Sequence, residues 1–287
     1  MIYSLSPDVD ETVDVLGGKG HGLVTLRRLG LPVPPGFVIG TAAGRAFLRD
    51  GRLPDLAAAV RGLEAETGKR LGGPERPLVV SVRSGGSVSM PGMMNTVLNV
   101  GMTTAATQAL AAEDPWFARD TRERFVRAYG EHVPDDAMRQ LERAVAAVFS
   151  SWNTPRAATY RTLHDIPHDL GTAVTVQAMV FGNRDNHSGT GVAFSRDPNT
   201  GEDVPYGEVL FGGQGDDVVS GTSAVQPVDE LATREPTVWA DLRAALHVVE
   251  THYRDVCQVE FTFETGRLWL LQVRSGGLVG RAAVRVA

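Results

Sequence analysis

Residues 79–101, VVSVRSGGSVSMPGMMNTVLNVG, restrict what this chain can fold into more than any other stretch. Val79, Val80 and Val82 form a β-branched run, the pattern of a buried strand. At Arg83 the run gives way to Ser84, Gly85, Gly86, Ser87, Ser89, Pro91 and Gly92. Glycine accepts backbone angles that side chains forbid, so such a loop can bring N–H groups close to an anion. Arg83 adds a fixed charge and a planar fork matched to phosphate oxygens. A bare glycine-rich loop is first of all an exposed turn, and only its surroundings make it more.

Composition narrows the class. A chain of 287 residues with 43% hydrophobic content suits one large domain or two intimate lobes with a sizeable core. The formal charge of -6 argues against a general nucleic-acid surface, while a local basic cleft stays open. The single cysteine, Cys257, excludes an internal disulfide framework and fits a reducing compartment. The opening MIYSLSPDVDETVDV lacks the basic and apolar regions of a secretory signal, and no apolar run approaches the ~20 residues that cross a bilayer. The expectation is a cytoplasmic protein with no nucleic-acid or membrane partner. Among 28 basic residues only Lys19 and Lys69 are lysine. Lys19, inside a glycine cluster, is therefore a candidate for a compact point charge on a phosphate.

No internal repeat stands out. GGKGHGLVTLRRLG, residues 17–30, reads as a glycine loop followed by a helix through Leu23, Leu26 and Leu29, with Gly30 as its stop. LPVPPGFVIGT is an extended connector into a short strand. Residues 42–70 read as helical with breaks at Gly51, Pro54 and Gly62, and 103–165 as the most helical region, where Asp135 or Asp136 caps a helix after Pro134. Beyond Gly171 short β runs dominate, with one helix near 236–252 and a hairpin turn at Glu264-Thr265-Gly266. This order predicts an α+β fold. Alternation puts Gln258, Glu260 and Thr262 on one face of a strand, and Gln272 and Arg274 on one face of the next. If the two faces are the same, a carboxylate, two amides and a guanidinium converge; otherwise the hairpin simply has a polar solvent side.

VSVRSGGSVSMPGMMNT closely resembles the phosphate-handling loop of the pyruvate phosphate dikinase family, and more loosely that of phosphoenolpyruvate synthase. The resemblance runs from about residue 15 to residue 275, through GGKGHGL, LGLPVPPGFVIGT, FSSWNTPRAATYR, TAVTVQAMVFGNRDNHSGTGVAFSRDPNTGE, GEVLFGGQGDDVVSG and VCQVEFTFETGRLWLLQVRSG. It implies an ATP-grasp type nucleotide-binding domain over residues 1–275. The N-terminal lobe would cover about 1–102, a helical segment about 103–168 and a C-terminal lobe about 169–275, with 276–287 a tail or linker. It further implies ATP and Mg²⁺ as ligands. Lys19, Arg83 and Arg274 would neutralise the polyphosphate, with Gly85, Gly86, Gly92, Met93 and Thr96 in the closing loop. Gln177, Met179 and Val180 would border adenine, Glu208 and Gln214 the nucleotide, and Glu260 and Gln272 would hold the metal. Arg196, in a turn, is a further candidate, whereas Asp216 and Asp217 read as solvent-facing or capping.

The chain departs from the family at three places. Gln258-Val259-Glu260 stands where Asp-Ile-Glu is usual, Met93-Met94-Asn95-Thr96 where Met-Met-Asp-Thr is usual, and Gln177-Ala178-Met179 where Gln-Glu-Met is common. The first two exchange a carboxylate for an amide, which weakens electrostatic attraction for Mg²⁺. None of the seven histidines lies in a segment resembling the family's phosphocarrier site, so the acceptor is expected on a separate domain or chain. The resulting expectation is transfer of a phosphoryl or pyrophosphoryl group from ATP to that histidine. A stand-alone ATP-grasp kinase or ligase with a small-molecule acceptor, and a nucleotide-binding module with weak catalysis, are the alternatives.

Overall fold

A computed structural model describes residues 1–130, 132–220 and 224–276. The expected tail at 276–287 lies outside these residues except for Gly276. The fold is α+β and divides into two compact units, residues 1–24 with 35–179, and 25–34 with 180–287.

In the first unit β1 (Ile2–Ser4), α1 (Val13–Arg28, of which residues up to Val24 belong here), β2 (Gly36–Ile39), α2 (Thr41–Asp50) and α3 (Ala57–Thr67) come first. A two-stranded pair, β3 (Arg70–Leu71) and β4 (Pro77–Leu78), leads to β5 (Val80–Gly85) and β6 (Thr96–Val100). Helices α4 (Thr104–Glu113), α5 (Pro115–Tyr129), α6 (Ala137–Ser150) and α7 (Pro155–Leu163) precede β7 (Ala173–Ala178). The main sheet is antiparallel in the order β1-β2-β7-β5-β6. Thus β7 belongs in the middle of the first sheet, although it follows the helical region and reads in sequence as the first of the later β runs. Its partners, Ser81 and Gly36 opposite Gln177, are far away in the chain, which local patterning does not encode.

Register gives that sheet two unlike faces. Phe37, Ile39, Val80, Val82, Val97, Val174 and Val176 share one, and α2 and α6 lie against these strands with buried Ala144, Val145, Val148 and Phe149. The other face carries Ser81, Arg83, Thr96, Thr175 and Gln177, with Val38 meeting α1 at Gly20.

Helix α1 differs from the expected loop-then-helix. It begins at Val13, and Gly18, Lys19 and Gly20 lie inside it; only Gly17 leaves helical geometry, at φ 69 and ψ 161. Helix α3 likewise runs through Gly62, which has open space around it and ends nothing; Gly68 closes the helix instead. The stop at Gly30 is as expected. Its N–H donates to Arg27 O and that of Leu31 to Leu26 O, a paired closure that a positive φ at Gly30 permits. Asp136 rather than Asp135 caps α6, accepting from Arg139 N–H, while Asp135 accepts from Thr104 N–H.

The second unit contains β8 (Gly189–Phe194), β9 (Tyr206–Phe211), α8 (Gly215–Ser220), β10 (Gln226–Pro227), α9 (Leu231–Arg234), α10 (Pro236–Tyr253), β11 (Cys257–Glu264) and β12 (Arg267–Ser275). The sheet is antiparallel in the order β10-β9-β8-β11-β12. Its apolar face, with Val259, Phe261, Phe263, Leu268 and Leu270, packs on α10 through Val238, Leu242, Ala245 and Val249. Residues 25–34 join this unit because edge strand β12 donates Leu270 N–H to Pro32 O. The hairpin turn falls where expected, with Thr265 and Gly266 both at positive φ. Among the described residues no helix is long and apolar enough to cross a membrane.

Cys257 sits wholly buried at the start of β11. Burial, reinforced by the carboxylates of Asp255 and Glu250, pushes its thiol up to about 12. The thiolate is the reactive species, so the folded chain should resist iodoacetamide at pH 8 and become labelled only when urea unfolds it. Fast labelling of the native protein would contradict this burial.

Candidate functional site

In the first unit two separate sequence motifs are built against each other. Gly18 N–H donates to Gly86 O at 2.9 Å, and a Cβ on Gly85 would stand 3.2 Å from Lys19 Cβ. Lys19, on the second turn of a helix kinked at Gly17, is thereby held beside the exit of β5. Arg83 lies one alternation back along β5, only 7% exposed, and its Nη2 donates to Gln177 Oε1 at 2.5 Å. Thr175, in register with Arg83, has a buried hydroxyl with no hydrogen-bond partner. Thr96 stands opposite Arg83 on β6.

The loop between β5 and β6 contains Gly92 and Met93 and rests on the segment that joins α6 to α7. Asn95 N–H donates to Ser151 Oγ at 3.1 Å, and the place of a Cβ on Gly86 is 3.8 Å from the Trp152 ring. Arg161, 2% exposed, stacks on that indole at 4.2 Å and donates to Trp152 O and to His168 Nδ1. Burial pushes the Arg161 guanidinium below its ordinary pKa. On the outer side, Arg156 brings Nη2 within 3.7 Å of the Cβ position of Gly92. Loop, indole and two guanidiniums thus form one cationic corner.

In the second unit the face of β8, β9, β11 and β12 opposite α10 carries the polar groups. The open condition of the sequence is met: Gln258 pairs with Arg274, and Glu260 with Gln272, so all four share a face. The pairing continues from Glu260 through Val192 to Glu208. Strict alternation along β12 would have put Gln272 and Arg274 on the side of Leu268 and Leu270. An irregularity between Glu260 and Phe261 prevents this, because Glu260 faces Gln272 and Phe261 faces Leu270, leaving Leu271 as the extra residue. Arg274 Nη2 lies 3.8 Å from Glu260 Oε1. Gln272 is 6% exposed, yet its Oε1 is buried with no hydrogen-bond partner. An orphaned amide oxygen across from a carboxylate is the donor set a hard oxygen-seeking cation fits.

A family model described as "Pyruvate phosphate dikinase, AMP/ATP-binding domain" matches residues 52–241. The chain belongs to the pyruvate phosphate dikinase AMP/ATP-binding domain family. It is 40% identical to pyruvate, phosphate dikinase of Rhizobium meliloti (strain 1021), over 96% of this chain and 39% of that protein. Pyruvate, phosphate dikinase 2 of Zea mays is 40% identical over 96% of this chain and 38% of its own length. The Clostridium symbiosum pyruvate, phosphate dikinase is 37% identical, with 96% and 38% covered. The chain therefore spans about two fifths of the length of these relatives.

Within this family member, the structure brings Lys19, Arg83, Gly85, Gly86 and Gln177 together in one unit, and Glu208, Glu260, Gln272 and Arg274 on one face in the other. Met179 and Val180 mark where the chain passes from the first unit to the second. Gln214 is buried and donates through Nε2 to Asn183 Oδ1. Asp217 accepts from Gln214 N–H, the capping role read from sequence. Arg196 is engaged by Glu250 at 2.7 Å and by Asp203. Trp152, Arg156 and Arg161 were not singled out by sequence reasoning, although an indole and two arginines within SWNTPRAATYR are the signal. What they touch is set by the fold, not by spacing.

Proposed function

We propose that this chain binds ATP with Mg²⁺ in an ATP-grasp type domain and passes a phosphoryl or pyrophosphoryl group to a histidine on a separate domain or chain. The observation that carries this reading is the shared face of Glu260, Gln272 and Arg274 in a chain of this family. Lys19, Arg83 and Arg274 neutralise the phosphates, and the glycines at 85, 86 and 92 let backbone approach them. Glu260 and Gln272 would hold Mg²⁺, which supplies further neutralisation of phosphate charge when bound. Phosphoryl transfer asks for positioning and charge neutralisation more than covalent help from the protein. An imidazole nitrogen of the acceptor attacks phosphorus; attack at the β-phosphorus releases AMP, and attack at the γ-phosphorus releases ADP. Gln177, Met179 and Val180 border the base, and Glu208 and Gln214 the rest of the nucleotide. We read the protein as cytoplasmic.

The test is incubation with labelled ATP and Mg²⁺, with and without phosphate and a supplied dikinase phosphohistidine domain. AMP release and label transfer that require the supplied domain, and that disappear in Lys19→Ala and Glu260→Ala, are the expected results. Saturable ATP binding without turnover in any mixture would leave a binding module. AMP or ADP formation that needs only a small acceptor would favour a stand-alone kinase or ligase.

A further inference from the structure

We infer that the outer side of α10 carries a second ligand site, one that takes a small polyhydroxylated phosphate ester of the sugar phosphate class. This site is independent of the ATP reading. The second unit holds a cavity of about 860 Å³ between α10 and the segment joining β8 to β9, within the size range of small-molecule sites. Helix α10 and the sheet separate it from Glu260 and Gln272. Val238, Leu242, Ala245 and Val249 pack on the apolar side of the sheet, and the polar face lies beyond. Ala240, Arg243, Ala244, His247 and Thr251 recur at spacings of three and four, so they form a second stripe on the same helix, facing the cavity. The two alanines leave a low floor beside Arg243 and His247, which are exposed one turn apart.

The charges here are committed unevenly. Arg196 donates to Glu250 at 2.7 Å and reaches Asp203 at 3.7 Å, so one guanidinium and two carboxylates make a fixed wall. Among the described residues no carboxylate forms an ion pair with Arg243 or Arg254. Arg243 rests only against its own helix, 6.0 Å from the Trp239 ring centroid. Arg254 closes α10 at φ 52, a left-handed position that glycine takes more readily. Two uncommitted guanidiniums with an imidazole suit a phosphate dianion, whose oxygens match the planar fork. The cavity is far larger than that ion, so the ligand has a body. A second anionic group on that body would meet Asp203, Glu250 and Asp255, which repel it. Hydroxyl groups do the opposite: they donate to the exposed Asp203 carboxylate and exchange hydrogen bonds with Thr251.

The full chain is titrated calorimetrically with glucose 6-phosphate, ribose 5-phosphate and glycerol 3-phosphate, each with and without saturating AMP-PNP, a non-hydrolysable ATP analogue. Glucose and inorganic phosphate supply the two halves of the first probe. The expected result is one saturable site per chain for at least one ester, unmoved by AMP-PNP, with each half about tenfold weaker or more. Arg243→Glu should weaken the ester by about tenfold or more without changing AMP-PNP binding or the melting temperature. Asp203→Ala should narrow the preference for the ester over inorganic phosphate, an effect that a merely electrostatic patch would not show. No saturable binding of any of the three esters would overturn the inference. So would displacement of the ester by AMP-PNP, or inorganic phosphate binding as tightly as the ester. Failure of AMP-PNP itself to bind would remove the ATP reading and leave this one standing.

Discussion

Gly17→Ala should lower the melting temperature by about 10 °C or leave the chain unable to fold, although it adds one methyl group. A Cβ at that position would lie 1.7 Å from Gly85 O, inside the backbone of β5. At φ 69 and ψ 161 the residue also occupies a region open almost only to glycine, which costs about 1–3 kcal/mol for any other residue. Relief means moving either the N-terminal turn of α1 or the end of β5, and both movements break the Gly18-to-Gly86 bond, worth about 1 kcal/mol. The sum is about 2–4 kcal/mol, and a chain of this size loses roughly 2–4 °C for each. Gly62→Ala is the contrast. It sits inside α3 with nothing within 4 Å, so alanine should be neutral or stabilise by up to about 1 kcal/mol. Thermal unfolding followed by circular dichroism separates the two; a shift under 2 °C for Gly17→Ala would refute the docking of the two motifs.

Arg83→Met should reduce nucleotide turnover by about 10²–10³-fold in the assay with a supplied acceptor domain. Methionine preserves much of the apolar stem but removes the charge and the fork. The same change leaves Gln177 Oε1 without its donor inside a sheet, a cost of about 1–3 kcal/mol in stability. Gln177→Leu divides the two effects. It removes the same hydrogen bond and keeps the guanidinium, so it should reproduce much of the stability change and little of the turnover loss. Arg83→Lys should rescue poorly, because an ammonium cannot reproduce a planar two-pronged donor. Equal turnover losses in Arg83→Met and Gln177→Leu would mean that Arg83 serves the sheet and not the phosphates.

Much of this architecture was legible in the sequence because its signals are local. The stop at Gly30, the turn at Thr265 and Gly266, the β5 run and the amphipathic stripe of α6 each depend on residues within a few positions. The rest depends on partners distant in the chain. Nothing near Ala173 says that β7 will lie between β2 and β5. A cluster written GGKG looks like a loop, but tertiary contact with Gly85 and Gly86 keeps most of it helical and confines the break to Gly17. Among the candidate site residues, the convergence of Gln258, Glu260, Gln272 and Arg274 was readable only as a condition, since register between strands decides it. Trp152 and Arg161 were invisible for the same reason: a buried guanidinium on an indole acquires meaning only once a loop is laid over it.

The extra residue at Leu271 uncouples the two ends of β12. Before it, even-numbered positions answer to the hydrophobic core; after it, even-numbered positions answer to the polar face. A lineage could therefore rework Leu268 and Leu270 for packing without touching the chemistry written at 272 and 274. The same separation hangs on the irregularity. Drawing Leu271 into regular alternation would keep every amino acid of the face and turn Gln272 and Arg274 inward, whereas deleting it would leave Leu270 inward and Gln272 outward.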